Sequence, residues 1–145
     1  MSARVTTHEL EPTTPDVLVV DDDAELRLGL VDLLEQLDLV AVGASNGEEA
    51  LALAGRCLPR LILLDMNMPV LDGWQFLQKR DADEALRRVP VVIISAAPGD
   101  QLPRGGVEGL LSKPLDEGAL LATIADLLAG RGPAPARRLA SGQRR

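Results

Sequence analysis

Aromatic side chains are almost absent from this chain of 145 residues, which has one Trp, one Phe and no Tyr. Hydrophobic residues nevertheless make up 46% of the sequence. The core must therefore be built from aliphatic side chains, and the chain is long enough to bury one such core in a single domain. Trp74 and Phe76 lie two positions apart, and we predict that both are core or near-core residues of one helix.

Cysteine and long apolar runs are equally scarce. Cys57 is the single cysteine, so an intramolecular disulfide is excluded, and a reduced, cytoplasmic setting is expected. No apolar run approaches the length needed to cross a membrane. The first residues carry no long apolar stretch after Arg4, so we predict no signal peptide. The single histidine, His8, has no partner in view and is assigned no role.

Basic residues are outnumbered, and their distribution is uneven. The net charge is −7, but residues 131–145 hold five arginines and no acidic residue, so the rest of the chain carries −12. Such an acidic body repels phosphates, which argues against nucleic acid as its partner. It suits a protein that concentrates cations in one pocket. The arginine-rich end is predicted to be a flexible, solubilising tail.

Apolar runs and helical spacing alternate along the chain. Strands are predicted at about 17–21, 39–44, 60–65, 91–94 and 107–111, and helices at about 24–37, at 48–56, from Gly73 onward and at 116–129. Right-handed crossovers then give an α/β, doubly wound, five-stranded parallel sheet with helices on both faces. Residues 1–15 are predicted to be a flexible lead-in, residues 16–130 the folded domain, and residues 131–145 a flexible tail.

Acidic residues follow two of the predicted strands at the point where each apolar run stops. Asp21 and Asp22 follow Val17–Val20, and Asp65 follows Leu61–Leu64. The carboxyl ends of parallel strands share one edge of the sheet, where ligands bind in open α/β folds. Two adjacent carboxylates repel each other, and Mg²⁺, which prefers oxygen ligands, would offset that repulsion. The alternative is an acidic helix cap, which is the role we predict for Asp23.

Two further polar residues, Lys113 and Ser95, belong to the same edge as Asp65. A carboxylate such as Asp65 can bind metal, accept a phosphoryl group, or do both. Lys113, near the last strand, could pair with Asp65 or with a phosphoryl oxygen, and its bond to Pro114 is a candidate cis peptide. Ser95 could donate a hydrogen bond to the phosphoryl group. Taken singly, each has a plainer explanation: a solvated Asp or Lys, or a serine that ends a strand by bonding its own backbone.

Taken together, these residues resemble the receiver domain of two-component response regulators over about residues 16–130. The likeness is carried by Val-Leu-Val-Val-Asp-Asp-Asp at 17–23, by Leu-Ile-Leu-Leu-Asp-Met-Asn-Met-Pro-Val-Leu-Asp-Gly at 61–73, by Ser95-Ala96 and by Lys113-Pro114. The resemblance implies a flavodoxin-like fold with strand order 2-1-3-4-5. It also implies phosphorylation at Asp65 and contacts from Ser95 and Lys113 to the phosphoryl group. Mg²⁺ would be held by Asp22, Asp65 and the backbone carbonyl of Asn67, with Asp21 acting partly through water.

The chain departs from the family pattern in two places. The segment between Ser95 and Lys113 is shorter than in typical receivers and contains several Pro and Gly residues, so the helix between the fourth and fifth strands is predicted to be short or absent. Three residues before Lys113, where many receivers carry Tyr or Phe, this chain has Leu110. The usual aromatic switch therefore cannot operate as it is normally described.

We predict a stand-alone receiver, because too few residues follow Ala129 for a DNA-binding or enzymatic output domain. A histidine kinase or a histidine phosphotransfer protein would supply the phosphoryl group to Asp65, and a downstream protein would respond; the function is signalling rather than enzymatic turnover. One alternative is a receiver-like binding module that is never phosphorylated. Another is an aspartate-nucleophile phosphatase of the haloacid dehalogenase kind, whose two aspartates are spaced like Asp21 and Asp23.

Overall fold

The structure of the chain is a computed structural model that describes residues 14–96 and 107–130. Within these ranges, strands and helices alternate. The strands are β1 (Val17–Val20), β2 (Ala41–Ala44), β3 (Leu61–Asp65), β4 (Val91–Ser95) and β5 (Gly109–Ser112). The α-helices are α1 (Ala24–Gln36), α2 (Gly47–Arg56), α3 (Gly73–Asp81) and α4 (Glu117–Leu128), with a 3-10 turn at Leu86–Arg88. None of these helices is long and apolar enough to cross a membrane.

All five strands are parallel and form one sheet in the order β2-β1-β3-β4-β5. This is the order that the family resemblance implied. The central strands are runs of branched aliphatic residues buried along their whole length, as expected for a parallel sheet covered on both faces. The strand order reverses between β1 and β3, so the loops that follow these two strands flank one crevice at the carboxyl edge.

Alternate residues of each strand feed two separate cores, one on each face of the sheet. Leu18, Val20, Ile62 and Leu64 pack with residues of α2 and α3. Their neighbours in the strands pack with residues of α1 and α4 (Val17, Val19, Leu61 and Leu63). Burying each such side chain contributes roughly 1.5 to 3 kcal/mol. The two cores therefore hold the strand ends, and the polar residues that follow them, in a fixed register.

Acidic and amide side chains cap the helices that begin near the carboxyl edge. Asp23 caps α1 and accepts hydrogen bonds from the backbone amides of Glu25 and Leu26, which confirms its predicted role. Asp72 caps α3 in a reciprocal capping box with Gln75. These caps satisfy amides that the helices leave unpaired and fix where each loop joins its helix.

The sequence-based prediction was wrong for Trp74, whose side chain is 46% exposed, whereas Phe76 is fully buried as expected. The buried stripe of α3 comprises Gly73, Phe76, Leu77 and Arg80, and helical spacing leaves Trp74 outside it. The 3-10 turn was not predicted. The expectations of a short or missing helix before β5, of a flexible lead-in and of a flexible tail concern residues that lie wholly or mostly outside the described ranges.

Candidate functional site

Three carboxylates from two strand ends meet at the carboxyl edge of the sheet. Asp21 and Asp22 directly follow β1, and Asp65 is the last residue of the neighbouring β3. One ligand oxygen from each of the three lies within 4.8 Å of the others. Asp21 and Asp65 are buried, whereas Asp22 is exposed. The predicted acidic cluster is therefore present, and Asp22 provides its solvent-facing side.

Lys113 follows β5 and reaches across the edge into this cluster. Its Nζ lies 2.9 Å from Asp21 Oδ2 and 3.6 Å from Asp65 Oδ1. The backbone amide of Lys113 donates to the carbonyl oxygen of Ser95, at the end of β4, which anchors the lysine to the sheet. The peptide bond between Lys113 and Pro114 is cis, as predicted. One ammonium group thus contacts two of the three carboxylates.

The charges in this cluster are unbalanced, and the titration of Asp65 reflects it. Burial, followed by the charge of Asp21 and in smaller part that of Asp22, raises the pKa of Asp65 to about 6, against the opposing effects of Lys113 and the Asn67 amide. Burial by itself lowers the pKa of Lys113, but its contacts with Asp21 and Asp65 outweigh that effect and raise the pKa. The ammonium group is therefore held in its charged form.

The donor set and its charge fit a hard divalent cation. Asp21 Oδ2 is buried and accepts no hydrogen bond from the described residues. Its contact with Lys113 Nζ, at 2.9 Å, is an ion pair. A second cation would relieve the remaining repulsion among the carboxylates. Carboxylate oxygens this close together can bind one Mg²⁺ ion, with water molecules completing its coordination shell.

The structure brings the other predicted site residues to the same edge. Ser95 ends β4 and is buried, one residue beyond Ile94, which is the register partner of Asp65. The backbone amide of Asn67 donates to Asp65 Oδ1 at 3.4 Å, so Asn67 lies beside the carboxylate. The predicted use of the Asn67 carbonyl as a metal ligand stays a prediction.

Two residues that support the site were not singled out from the sequence. Gly73 begins α3, and a Cβ atom there would lie 2.6 Å from Met66 Cα and 2.9 Å from the carbonyl oxygen of Asp65. Only glycine therefore lets the helix approach the end of β3 so closely. Arg27 donates from Nη1 to the carbonyl oxygen of Asp21 at 2.8 Å. The sequence signal for Arg27 was a cation near the start of a helix, where the dipole disfavours positive charge.

Comparison with protein families matches the same region of the chain. A model described as the response regulator receiver domain matches residues 17–125, which include every residue of the site. Response regulator PleD of Caulobacter vibrioides is 39% identical over 116 residues, 77% of this chain. The match covers 25% of PleD, so this chain spans about a quarter of that relative.

Shorter relatives and solved structures match along nearly their whole length. Protein PilH of Pseudomonas aeruginosa is 33% identical over 118 residues, which are 79% of this chain and 98% of PilH. The solved receiver domain of the Francisella response regulator 1452 superposes with a TM-score of 0.73 at 28% identity, covering 81% of this chain and 99% of that structure. The fold is thus shared with receiver domains.

Proposed function

Because the chain belongs to the response regulator receiver domain family, we propose that Asp65 accepts a phosphoryl group from a phosphohistidine. The donor would be a histidine kinase or a histidine phosphotransfer protein. The observation that supports this proposal best is the position of Asp65, a buried carboxylate at the end of β3 in contact with Lys113 and beside two further acids. Phosphorylation would then alter contacts with a downstream protein.

The transfer is an in-line displacement at phosphorus. Asp65 Oδ1 is contacted by Lys113 and the Asn67 amide, so we assign the attack to Oδ2. An oxygen–phosphorus bond forms as the phosphorus–nitrogen bond breaks, and the bonding pair leaves with the imidazole, which takes up a proton. With a pKa of about 6, Asp65 is mostly ionised at pH 7 and can act as the nucleophile.

Asp21, Asp22, Asp65 and the carbonyl of Asn67 would hold Mg²⁺ at this edge. When bound, the ion supplies positive charge that offsets repulsion between the carboxylates and the phosphoryl oxygens. Lys113 already lies between Asp21 and Asp65 and would pair with a phosphoryl oxygen once Asp65 is modified. Its anchored backbone keeps the ammonium group within reach of the site.

Ser95 is the residue through which the modified site would signal. It is buried at the end of β4, where its hydroxyl could donate to a phosphoryl oxygen on the adjacent strand. Leu110 lies in β5 and packs against the core between the sheet and helices α2 and α3. Because its side chain is aliphatic, there is no aromatic ring to rotate. A shift of Ser95 would therefore be transmitted through β4 rather than by an aromatic flip.

The position of Asp23 counts against the phosphatase alternative. A phosphatase of that kind would need Asp23 to take part in catalysis beside Asp21. Instead, Asp23 Oδ1 accepts hydrogen bonds from two backbone amides as the cap of α1. The acidic body of the chain also argues against nucleic acid as the partner. We place the protein in the cytoplasm, where histidine kinases present their phosphohistidine, with residues 16–130 as the receiver and the arginine-rich end outside it.

Mass spectrometry of the full chain tests the proposal. The chain is incubated with Mg²⁺ and a small acyl phosphate, and separately with a phosphorylated histidine kinase. One hydroxylamine-sensitive phosphoryl group should appear and map to Asp65. Asp65→Asn should take up none, whereas the matched variant Asp16→Asn, at the opposite edge of the sheet, should be labelled like the wild type.

Label that persists on Asp65→Asn would assign the acceptor elsewhere. Absence of label from both donors would favour the module that is never phosphorylated. Release of inorganic phosphate from small phosphomonoesters, without label on Asp65, would favour the phosphatase.

A further inference from the structure

Asp21 is fixed at each of its polar atoms. Its amide donates to the Ala44 carbonyl at 3.1 Å, its Oδ1 accepts the Asp23 amide at 2.9 Å, and its Oδ2 faces Lys113. The remaining atom, the carbonyl oxygen, accepts the Arg27 guanidinium at 2.8 Å. That carbonyl belongs to the peptide unit joining Asp21 to Asp22, so Arg27 holds the peptide between the two acids.

The stem of Arg27 lies across β2 at Gly43. A Cβ atom at position 43 would lie 3.0 Å from both Cγ and Cδ of Arg27, closer than ordinary packing allows. Gly43 is the register partner of Val19, two residues before Asp21. A glycine in a strand interior weakens the strand and often marks a close approach, and here the approaching group is the arginine stem.

Arg27 also acts through its charge on a carboxylate outside the cluster, Glu49. Glu49 accepts hydrogen bonds from the amide and the hydroxyl of Ser45. The amide of Ser45, then its hydroxyl and, to a smaller extent, the charge of Arg27 lower the pKa of Glu49. This negative charge offsets part of the cost of a cation near the start of a helix.

We propose that Arg27, seated on Gly43, is a positioning residue for Asp21 and Asp22. It acts by holding the peptide that sets the direction of both carboxylates, and it does not contact the phosphoryl group. The role rests on the proposed function, because the pair must be aimed at Asp65 for metal binding and transfer. A hydrogen bond from a charged donor is strong enough for such an effect.

Two substitutions separate positioning from simple charge. Arg27→Met removes the guanidinium, and Gly43→Ala keeps its charge but displaces its stem. If Arg27 acts by position, both variants should bind Mg²⁺ about tenfold more weakly than the wild type. If it acts only as a charge, Arg27→Met should bind Mg²⁺ more tightly, because a repelling cation is gone, and Gly43→Ala should not differ.

The experiment is a calorimetric titration of the metal-free full chain with Mg²⁺. Gly29→Ala is the matched control, because a Cβ atom there meets nothing within 4 Å, and it should bind like the wild type. In the double variant Arg27→Met/Gly43→Ala, the alanine should add no further loss, because the stem it displaces is absent. Arg27→Lys, which can still donate one hydrogen bond, should recover part of the affinity.

Amide hydrogen exchange in metal-free protein gives a second readout. The Asp23 amide, bonded to Asp21 Oδ1, should lose protection in Arg27→Met and Gly43→Ala but keep it in Gly29→Ala. Additive losses in the double variant, or Gly43→Ala binding as tightly as Gly29→Ala, would overturn the proposal, as would a wild type that binds no Mg²⁺. If the wild type binds Mg²⁺ but is never labelled at Asp65, the proposed function fails while these titrations still decide the role of Arg27.

Discussion

The two edges of the sheet carry the same kinds of charged residue in different balance. At the amino edge, Asp16 accepts hydrogen bonds from Arg60 and from the Val40 amide, and Arg60 also donates to the Leu128 carbonyl at the end of α4. Both of these charges thus have an opposite partner and a backbone partner. At the carboxyl edge, three carboxylates lie close together and one ammonium contacts two of them.

The difference indicates which edge is built for stability and which for chemistry. The pairs of the amino edge tie strand starts to a helix end and leave no charge to neutralise. At the carboxyl edge the pKa of Asp65 is raised above that of a free aspartate. In the absence of a bound cation, ionising Asp65 therefore lowers the stability of the folded chain. Substitutions of matching type at the two edges should therefore have unequal, and in one case opposite, effects.

Removing the cation from each edge should give the largest effect. Lys113→Ala leaves the buried Asp21 and Asp65 without their ammonium, and in metal-free buffer at pH 7 it should lower the free energy of unfolding by about 2 kcal/mol. Arg60→Ala should cost about 1 kcal/mol, because its pair is partly exposed. Urea denaturation measures both.

Mg²⁺ should restore part of the loss in Lys113→Ala and none in Arg60→Ala. The lysine variant should keep its Mg²⁺ binding while its phosphorylation response weakens. Collapse of metal binding in Lys113→Ala would mean that the lysine is needed to organise the cluster and does not only balance its charge.

Removing an acid from each edge should change stability in opposite directions. Because the pKa of Asp65 is about 6 in the folded state, the folded chain binds more protons than the unfolded chain between about pH 4 and 6, and stability falls as the pH rises through that range. Asp65→Asn should therefore be more stable than the wild type at pH 7 by on the order of 2 kcal/mol in metal-free buffer. This advantage should vanish near pH 4.

Asp16→Asn is the counterpart of this variant at the amino edge. It weakens the contacts with Arg60 and Val40 and should lower stability by about 1 kcal/mol at pH 7. Unfolding free energies of both variants between pH 4 and 7.5 measure the contrast. An Asp65→Asn curve parallel to that of the wild type would show that Asp65 titrates normally.

Addition of Mg²⁺ should stabilise the carboxyl edge alone. At ten times its dissociation constant the ion should raise the free energy of unfolding by about 1.4 kcal/mol. The increase should disappear in Asp22→Asn and persist in Asp16→Asn. An equal response to Mg²⁺ in these two variants would place the ion outside the cluster.

Local sequence patterns predicted the strands and the edge at which the acidic residues meet. The apolar runs at 17–20, 61–64 and 91–94 mark strands buried on both faces, and the acids that follow two of them mark the edge where they meet. Strand order followed from the family resemblance, and all predicted strand boundaries lie within two residues of those observed.

Features that depend on approach between elements were not predictable in this way. Arg27 matters because α1 crosses β2 at Gly43, and no local pattern encodes that crossing. Trp74 is exposed because the close contact of Gly73 with β3 sets which side of α3 faces the core. The raised pKa of Asp65 likewise arises from burial and neighbours that only the folded chain assembles.

Backbone strain at the carboxyl edge should give the smallest effect. Val70, in the loop after Asp65, has φ of 70° and is 70% exposed; a β-branched residue is disfavoured in this left-handed region, where Asn is tolerated. Val70→Asn should therefore raise stability by about 0.5 to 1 kcal/mol. Val40→Asn, at the amino edge and without positive φ, should lower it. If both variants lose stability alike in urea denaturation, the loop at position 70 carries no strain that asparagine relieves.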